Sequence, residues 1–214
     1  MFGVKIKVTH KDLTVFLRAF TKEDIPVLVE HFSSMKVHMY TKGLFAQTFE
    51  NELEWYEKTR KSQDDCVWAI QPEGSQFPVG VTGLHHINSR ENSSSSGIII
   101  WDQQWWGKGV ASATHLARTL FAADFLNRWV IRSSVRVPNA ASRRALERVG
   151  YSVWGTEPVC VLRAGEWLDT HHLVWLHPER VVVMYPNGIP EKYISGVDRA
   201  SLALATARKE VEFP

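Results

Sequence analysis

Gly97-Ile-Ile-Ile-Trp-Asp-Gln-Gln-Trp-Trp-Gly107-Lys-Gly109-Val-Ala111 decides how this chain folds. A short apolar run of strand character breaks into a turn, and two glycines then flank Lys108. Beyond them Val110, Ala113, Thr114, Ala117, Leu120, Phe121 and Phe125 recur at helical spacing, which predicts a helix over residues 108–125. The first amides of such a helix have no intrahelical acceptor, and the helix dipole adds partial positive charge. Glycines at 107 and 109 let the backbone approach a ligand without a Cβ in the way, so the junction suits a phosphate. Plain turn chemistry is the competing reading. The spacing is not the Walker pattern, and no third glycine completes a dinucleotide fingerprint.

Outward from this junction, the chain alternates. Residues 130–137 read as a strand stopped by Pro138-Asn139, and Ala141, Ala145, Leu146 and Val149 stripe a helix ended by Gly150. Arg143 and Glu147 stand at i, i+4 spacing on it. Strands over 159–163 and 168–176 follow, joined through Ala164-Gly165-Glu166. Upstream, strands are predicted at 4–8 and 13–20, then a helix opened by the capping-box-like Thr21-Lys-Glu-Asp24. A second helix covers 48–61, strands 66–70 and 79–84 form a long-looped hairpin, and Ser93 to Ser96 read as a mobile turn. Residues 178–214 change character, with proline punctuation, a short strand at 181–185 and a last helix over 197–210. The order is mixed α/β, with antiparallel hairpins flanking one β-α-β unit.

At 214 residues the chain fits one domain with a real core, and a formal charge of +2 does not by itself imply nucleic acid. Two cysteines make no disulfide framework, and no CxxC pair or ligand spacing implies a metal. No apolar stretch approaches membrane-spanning length, and charged residues interrupt any signal-like run. The expected compartment is the reducing cytoplasm. Nine tryptophans could line a pocket or fill the core.

Two separated signatures resemble one family. Gln104-Trp-Trp-Gly107-Lys-Gly109-Val-Ala111 is similar to the acetyl-CoA motif of GNAT N-acetyltransferases. Asn139-Ala-Ala-Ser142-Arg-Arg-Ala-Leu-Glu147-Arg-Val-Gly150-Tyr151 resembles the second signature of their RimJ/RimL type. The likeness runs over residues 13–177; residues 1–177 are expected to be the acetyltransferase domain, and 178–214 an extension packed on it. It implies an α/β fold with a mixed α+β sheet, whose central strands 97–101 and 130–137 splay apart to admit acetyl-CoA. The implied cofactor contacts are Gln104, Trp105, Trp106, Gly107, Lys108, Gly109, Val110 and Ala111, with Asn139, Ser142 and Arg143 from the second motif. Backbone N–H groups at Ile99, Ile100 and Trp101 would polarise the thioester carbonyl. The family's tyrosine acid falls at Leu146, which cannot donate, so Ser142 becomes the candidate acid. Glu157 and His85 are the candidate bases, with His86 and Asp102 in conceivable reach.

The implied function is acetyl transfer to a primary amine, a protein N-terminus or a small molecule, by direct attack in a ternary complex. Its partners are acetyl-CoA and that amine, with no membrane, in a monomer or homodimer. Two alternatives remain open: a catalytically inactive acyl-CoA-binding module, or a modifier of nucleic-acid amines. The arginines at 128, 132, 136, 143, 144 and 148 motivate the second.

Overall fold

The predicted strands assemble into one mixed sheet with helices on both faces. The computed structural model describes residues 1–41 and 43–214. β1 (Ile6–His10) and β2 (Leu13–Arg18) form a hairpin, followed by α1 (Ile25–Phe32), α2 (Met35–His38) and α3 (Phe49–Lys61). β3 (Cys66–Pro72), β4 (Gly80–Asn88) and β5 (Ser93–Ile100) run as an antiparallel meander. α4 (Val110–Leu120) widens into a π turn over Phe121–Phe125 and leads to β6 (Val130–Arg136). Next come α5 (Ala140–Arg148), the long hairpin of β7 (Ser152–Arg163) and β8 (Glu166–Leu176), α6 (Val181–Met184), α7 (Glu191–Glu210) and β9 (Val211–Glu212). Among the described residues the strand order is β7-β8-β6-β5-β4-β3-β2-β1-β9.

Each face buries its own cluster. α4, α5 and α7 bring Ala113, Ala117, Leu146 and Leu204 onto Leu84, Ile131 and Trp175. α1 and α3 gather Leu28, Leu53 and Trp55 around Phe20 and Trp101 on the opposite face. A fully buried Ile, Leu or Val side chain contributes roughly 1.5–3 kcal/mol. Helix starts are satisfied locally: Asp24 accepts from the Thr21 N–H at 2.8 Å, and Thr48 Oγ1 accepts from the Asn51 N–H at 3.3 Å. Trp68, Trp101 and Trp175 are core residues, with their indole N–H groups on the carbonyls of Val4, Pro78 and Val149. The tail fits tightly against this core. A Cβ added to Gly150, where φ is +103°, would stand 2.5 Å from the Ala200 Cβ on α7.

Two expectations are corrected. Ser93 to Ser96 are strand, not turn; the chain reverses just before them, with Asn92 at φ 49°. Two of their hydroxyls find partners, Ser95 on the His85 carbonyl at 3.2 Å and Ser96 on the Tyr151 hydroxyl at 3.1 Å, while the Ser94 hydroxyl is buried without one among the described residues. Residues 181–185 form a helical turn rather than a strand. Val181 packs beside Val174 and Leu176, and that packing outweighs β-branched propensity.

Candidate active site

The parallel pair β5–β6 separates soon after it starts. Among the described residues, ladder pairing joins Ser93, Ser94 and Ser95 to Val130, Ile131 and Arg132 and then stops. Side chains take over at the split. Ser133 Oγ donates to the Ser96 carbonyl at 3.1 Å. The Gly97 carbonyl accepts from Thr82 Oγ1 at 2.9 Å and from Arg118 Nη1 at 2.8 Å, which holds it on the β4 side. Arg118 also donates to Thr82 Oγ1 at 2.7 Å and His115 Nδ1 at 2.9 Å, and it is fully buried. Burial pushes the Arg118 pKa down, and burial with that neighbouring cation drives His115 well below the ordinary histidine value.

Strand alternation decides which β5 amides face the gap. The Trp101 N–H goes back to the Val79 carbonyl at 3.0 Å, so those of Ile98 and Ile100 point to the other edge. The Ile100 carbonyl, on that edge, accepts from the Trp106 indole at 2.8 Å. This corrects the expected trio. Ile100 serves the gap, Ile99 faces its partner Val81, and Trp101 is spent on Val79 with its indole buried on Pro78. Ile98 was missed because register, not composition, selects it. A cavity of about 510 Å³ fills the opening on the α1–α2 side, lined by Phe32, His38, Tyr40, Gln47, Gly97, Ser134, Arg136 and Thr170 among others.

At the end of β5 lies the glycine turn. Gly107 and Gly109 adopt φ of +76° and +91°, and a Cβ on Gly107 would meet nothing within 4 Å. The first helical bond runs from the Ala113 N–H to the Gly109 carbonyl, leaving the amides of Val110, Ala111 and Ser112 without intrahelical acceptors. Other amides of the expected cradle are already used. Gln104 donates to Asp102 Oδ1 at 2.9 Å, Trp105 to the Asp102 carbonyl, Trp106 to Gln103 and Lys108 to Trp105. The cradle therefore narrows to Gly107 and residues 109–112, and its open glycines and unspent donors fit an anionic pyrophosphate. The Lys108 ammonium sits 5.2 Å from the Trp105 ring centroid.

At the other lip, β6 runs into α5. Asn139 Oδ1 accepts from the Ser142 N–H at 3.2 Å, an N-cap that leaves the carboxamide NH2 to donate elsewhere. Ser142 follows in the first turn. Arg143, an expected phosphate contact, pairs with Glu147 at 3.2 Å and reaches His171 at 3.3 Å.

His85 projects from β4 on the cavity side. A bulge between His85 and Asn88 lets the Ile87 N–H reach the Asp64 carbonyl at 2.8 Å, drawing residues 62–65 against the strand. Asp65 Oδ1 then meets His85 Nδ1 at 2.9 Å, and Ser62 Oγ donates to its other oxygen at 3.0 Å. Burial alone would raise the Asp65 pKa, but the bonds from His85 and Ser62 outweigh it and hold the carboxyl below its ordinary value. An ionised carboxylate requires a proton on Nδ1, so neutral His85 offers Nε2 as its basic nitrogen. That nitrogen lies over two glycines: a Cβ on Gly83 would stand 2.7 Å from it, and one on cavity-lining Gly97 would stand 3.9 Å away. Glu157, on β7, instead meets His172 Nε2 at 2.9 Å and is exposed. Asp65 was missed because twenty positions and a bulge separate it from its partner.

Residues 14–152 match the family described as the Acetyltransferase (GNAT) domain. No curated protein sequence matches the chain. Among solved structures, the spermidine N-acetyltransferase from Vibrio cholerae in complex with CoA and spermine is similar, with a TM-score of 0.68 at 22% identity over 76% of this chain and 95% of that one. A GNAT-family acetyltransferase from Bacillus anthracis gives 0.67 at 21% identity over 81% and 98%. At these identities the likeness is one of fold.

Proposed function

Because the chain belongs to the GNAT acetyltransferase family, whose usual cofactor is acetyl-CoA, we propose that it acetylates a primary amine by direct attack within a ternary complex. The observation that carries the proposal is His85, oriented by Asp65 and set over Gly83 and Gly97 beside the split strands. Acetyl-CoA, when bound, supplies the acyl carbonyl and the thiolate leaving group. The amides of Gly107, Gly109, Val110 and Ala111 would hold its pyrophosphate, with the Asn139 carboxamide further along the arm. His85 Nε2 accepts the proton of the incoming ammonium and frees the nitrogen lone pair, while Asp65 offsets the imidazolium charge. The Ile98 and Ile100 N–H groups donate where negative charge develops on the acyl oxygen. Ser142 returns a proton to the departing sulfur and regains one from water.

The paired motifs support a RimJ/RimL-type enzyme and, with it, a protein N-terminal α-amine as one acceptor; a small-molecule amine is the other. Residues 178–214 belong, in this proposal, to the same folding unit as 1–177, supported by the fit of Ala200 against Gly150.

The test is calorimetric titration of acetyl-CoA into wild type and Gly107→Glu, followed by turnover with amines and N-terminal peptides. Tight wild-type binding lost in the variant is expected, because a carboxylate would stand against the pyrophosphate. A folded wild type that does not bind overturns the cradle. Binding without turnover on any acceptor leaves an acyl-CoA-binding module. Ser142→Ala should lower kcat by far more than it lowers acetyl-CoA affinity.

A further inference from the structure

The cavity beside the split strands has a sign, and it is positive. Arg136 lines it from β6, with Nη1 donating to Thr170 Oγ1 on the neighbouring β8. Among the described residues Arg136 forms no salt bridge, and no Asp or Glu lines the cavity. His38, the other basic side chain there, is held on the Phe32 carbonyl and the Thr41 hydroxyl. The remaining polar lining is hydroxyl or amide, from Tyr40, Thr41, Ser134 and Gln47. A guanidinium carries five N–H donors in a planar fork matched to carboxylate or phosphate oxygens, and one hydroxyl uses few of them. Glu157 on this face stands a strand further out, where His172 engages it and the Arg136 charge reaches it only as a minor influence on its carboxyl.

Position tells which ligand meets this charge. Continuing the parallel register of Ser95 with Arg132 puts Ser134 level with Gly97 and Arg136 level with Ile99, across the gap. His85 approaches from the Gly97 side. An amine delivered to His85 therefore has Arg136 facing it from the opposite wall. Resting on the acetyl-transfer reading, we infer that the acceptor carries an anionic oxygen group, carboxylate or phosphate, within a few bonds of its amine, and that Arg136 binds it. The enzyme selects zwitterionic amines and disfavours polycations, which would bring like charge to a guanidinium that no salt bridge neutralises.

Turnover with β-alanine, γ-aminobutyrate, O-phosphoethanolamine, n-butylamine and spermidine separates these classes, and the first three distinguish carboxylate from phosphate. Wild type should favour the anionic amines by at least about tenfold in kcat/KM, the scale of one charge-assisted contact. Arg136→Gln should erase that preference through KM, leaving n-butylamine turnover, melting temperature and acetyl-CoA affinity within about twofold. Arg136→Glu should turn the preference toward spermidine. Better wild-type turnover of spermidine, a preference unmoved by Arg136→Gln in a folded protein, or a loss of acetyl-CoA affinity in that variant would each overturn the inference.

Titrating O-phosphoethanolamine and spermidine into the CoA complex reads the charge preference without turnover. Anion binding that Arg136→Gln abolishes, in a protein that turns over nothing, would support the anion site and defeat the acetyl-transfer reading. Equal or absent binding of both ligands by such a protein would overturn the anion site as well.

Discussion

Two histidine–carboxylate pairs flank the split strands on the same sheet face, one strand out on either side, and they are built differently. His85 on β4 gives Nδ1 to Asp65, whereas His172 on β8 meets Glu157 through Nε2. The first arrangement leaves the distal nitrogen for a substrate; the second leaves the nitrogen beside its own backbone. Asp65 is fixed by Ser62 and 31% exposed, while Glu157 is 60% exposed at the end of the sheet. The Glu157 carboxyl is also held below its ordinary value, by His172 first and Cys160 second, and Trp154 packs against the His172 ring at 5.5 Å between centroids, but the carboxyl itself stays in solvent. Under the proposed function, the same pairing of imidazole and carboxylate serves as a base or a surface contact according to which nitrogen is tied and how rigidly.

Exchanging the roles by mutation breaks the comparison most directly. His85→Gln should lower kcat/KM by about 10²–10⁴-fold, the usual worth of a positioned base, with acetyl-CoA affinity intact. His172→Gln should lower it by less than about threefold, and the reverse order would transfer the base to β8. Asp65→Asn keeps an acceptor for Nδ1 but removes the charge that offsets the imidazolium, and a loss of about ten- to a hundredfold is expected. Because the folded Asp65 pKa is depressed, its contribution to stability is present above the ordinary carboxylate range. It is lost as pH falls through the folded value. Glu157→Gln should leave both rate and acid stability nearly unchanged.

Space sharpens the comparison further. Gly83→Ala places a methyl where the His85 ring lies, and about a tenfold fall in kcat is expected from the displaced nitrogen. An unchanged rate would mean that the ring sits elsewhere when substrate binds. A buried histidine supplies the control. His115 is kept neutral in the folded protein, whereas the unfolded chain protonates it below about pH 6.5. Stability should therefore fall as pH drops below that value, by up to about 1.4 kcal/mol per pH unit for this group. Urea titrations of wild type and His115→Gln across pH 5–7 would show whether the slope diminishes in the variant.

Much of this was legible in the chain. Helical stripes, the capping threonines, the glycine turn and the Asn139 cap are local signals, and local physics decides them. His85 could be nominated because a histidine at a strand end is chemically conspicuous. Its orienter could not, since the bulge that brings Asp65 to it has no composition signature. Of the three expected β5 amides only Ile100 faces the gap, because parity belongs to register. Arg128, one of the arginines that motivated nucleic-acid binding, donates to the carbonyls of Leu126 and Asn88, and Arg143 is held by Glu147. Arg136 emerges from that group only when β6 and β8 are laid side by side. The serine run in β5 and the valine run in α6 show propensity yielding to tertiary packing.

The pairing of β9 with β1, joining Val8 to Val211 and Lys7 to Glu212, has a consequence for how the chain is made. Lys7 and Glu212 stand 205 positions apart, so this closure waits on nearly everything between them. During synthesis the β1 edge emerges early and stays unpaired, while Leu146 and Val149 await the helix that carries Ala200 and Leu204. The split strands and their histidine can assemble on a nascent chain whose back is still open. Ribosome-held intermediates stalled before residue 191 should therefore expose an apolar surface and a bare strand edge together, the kind of interval in which chaperones act.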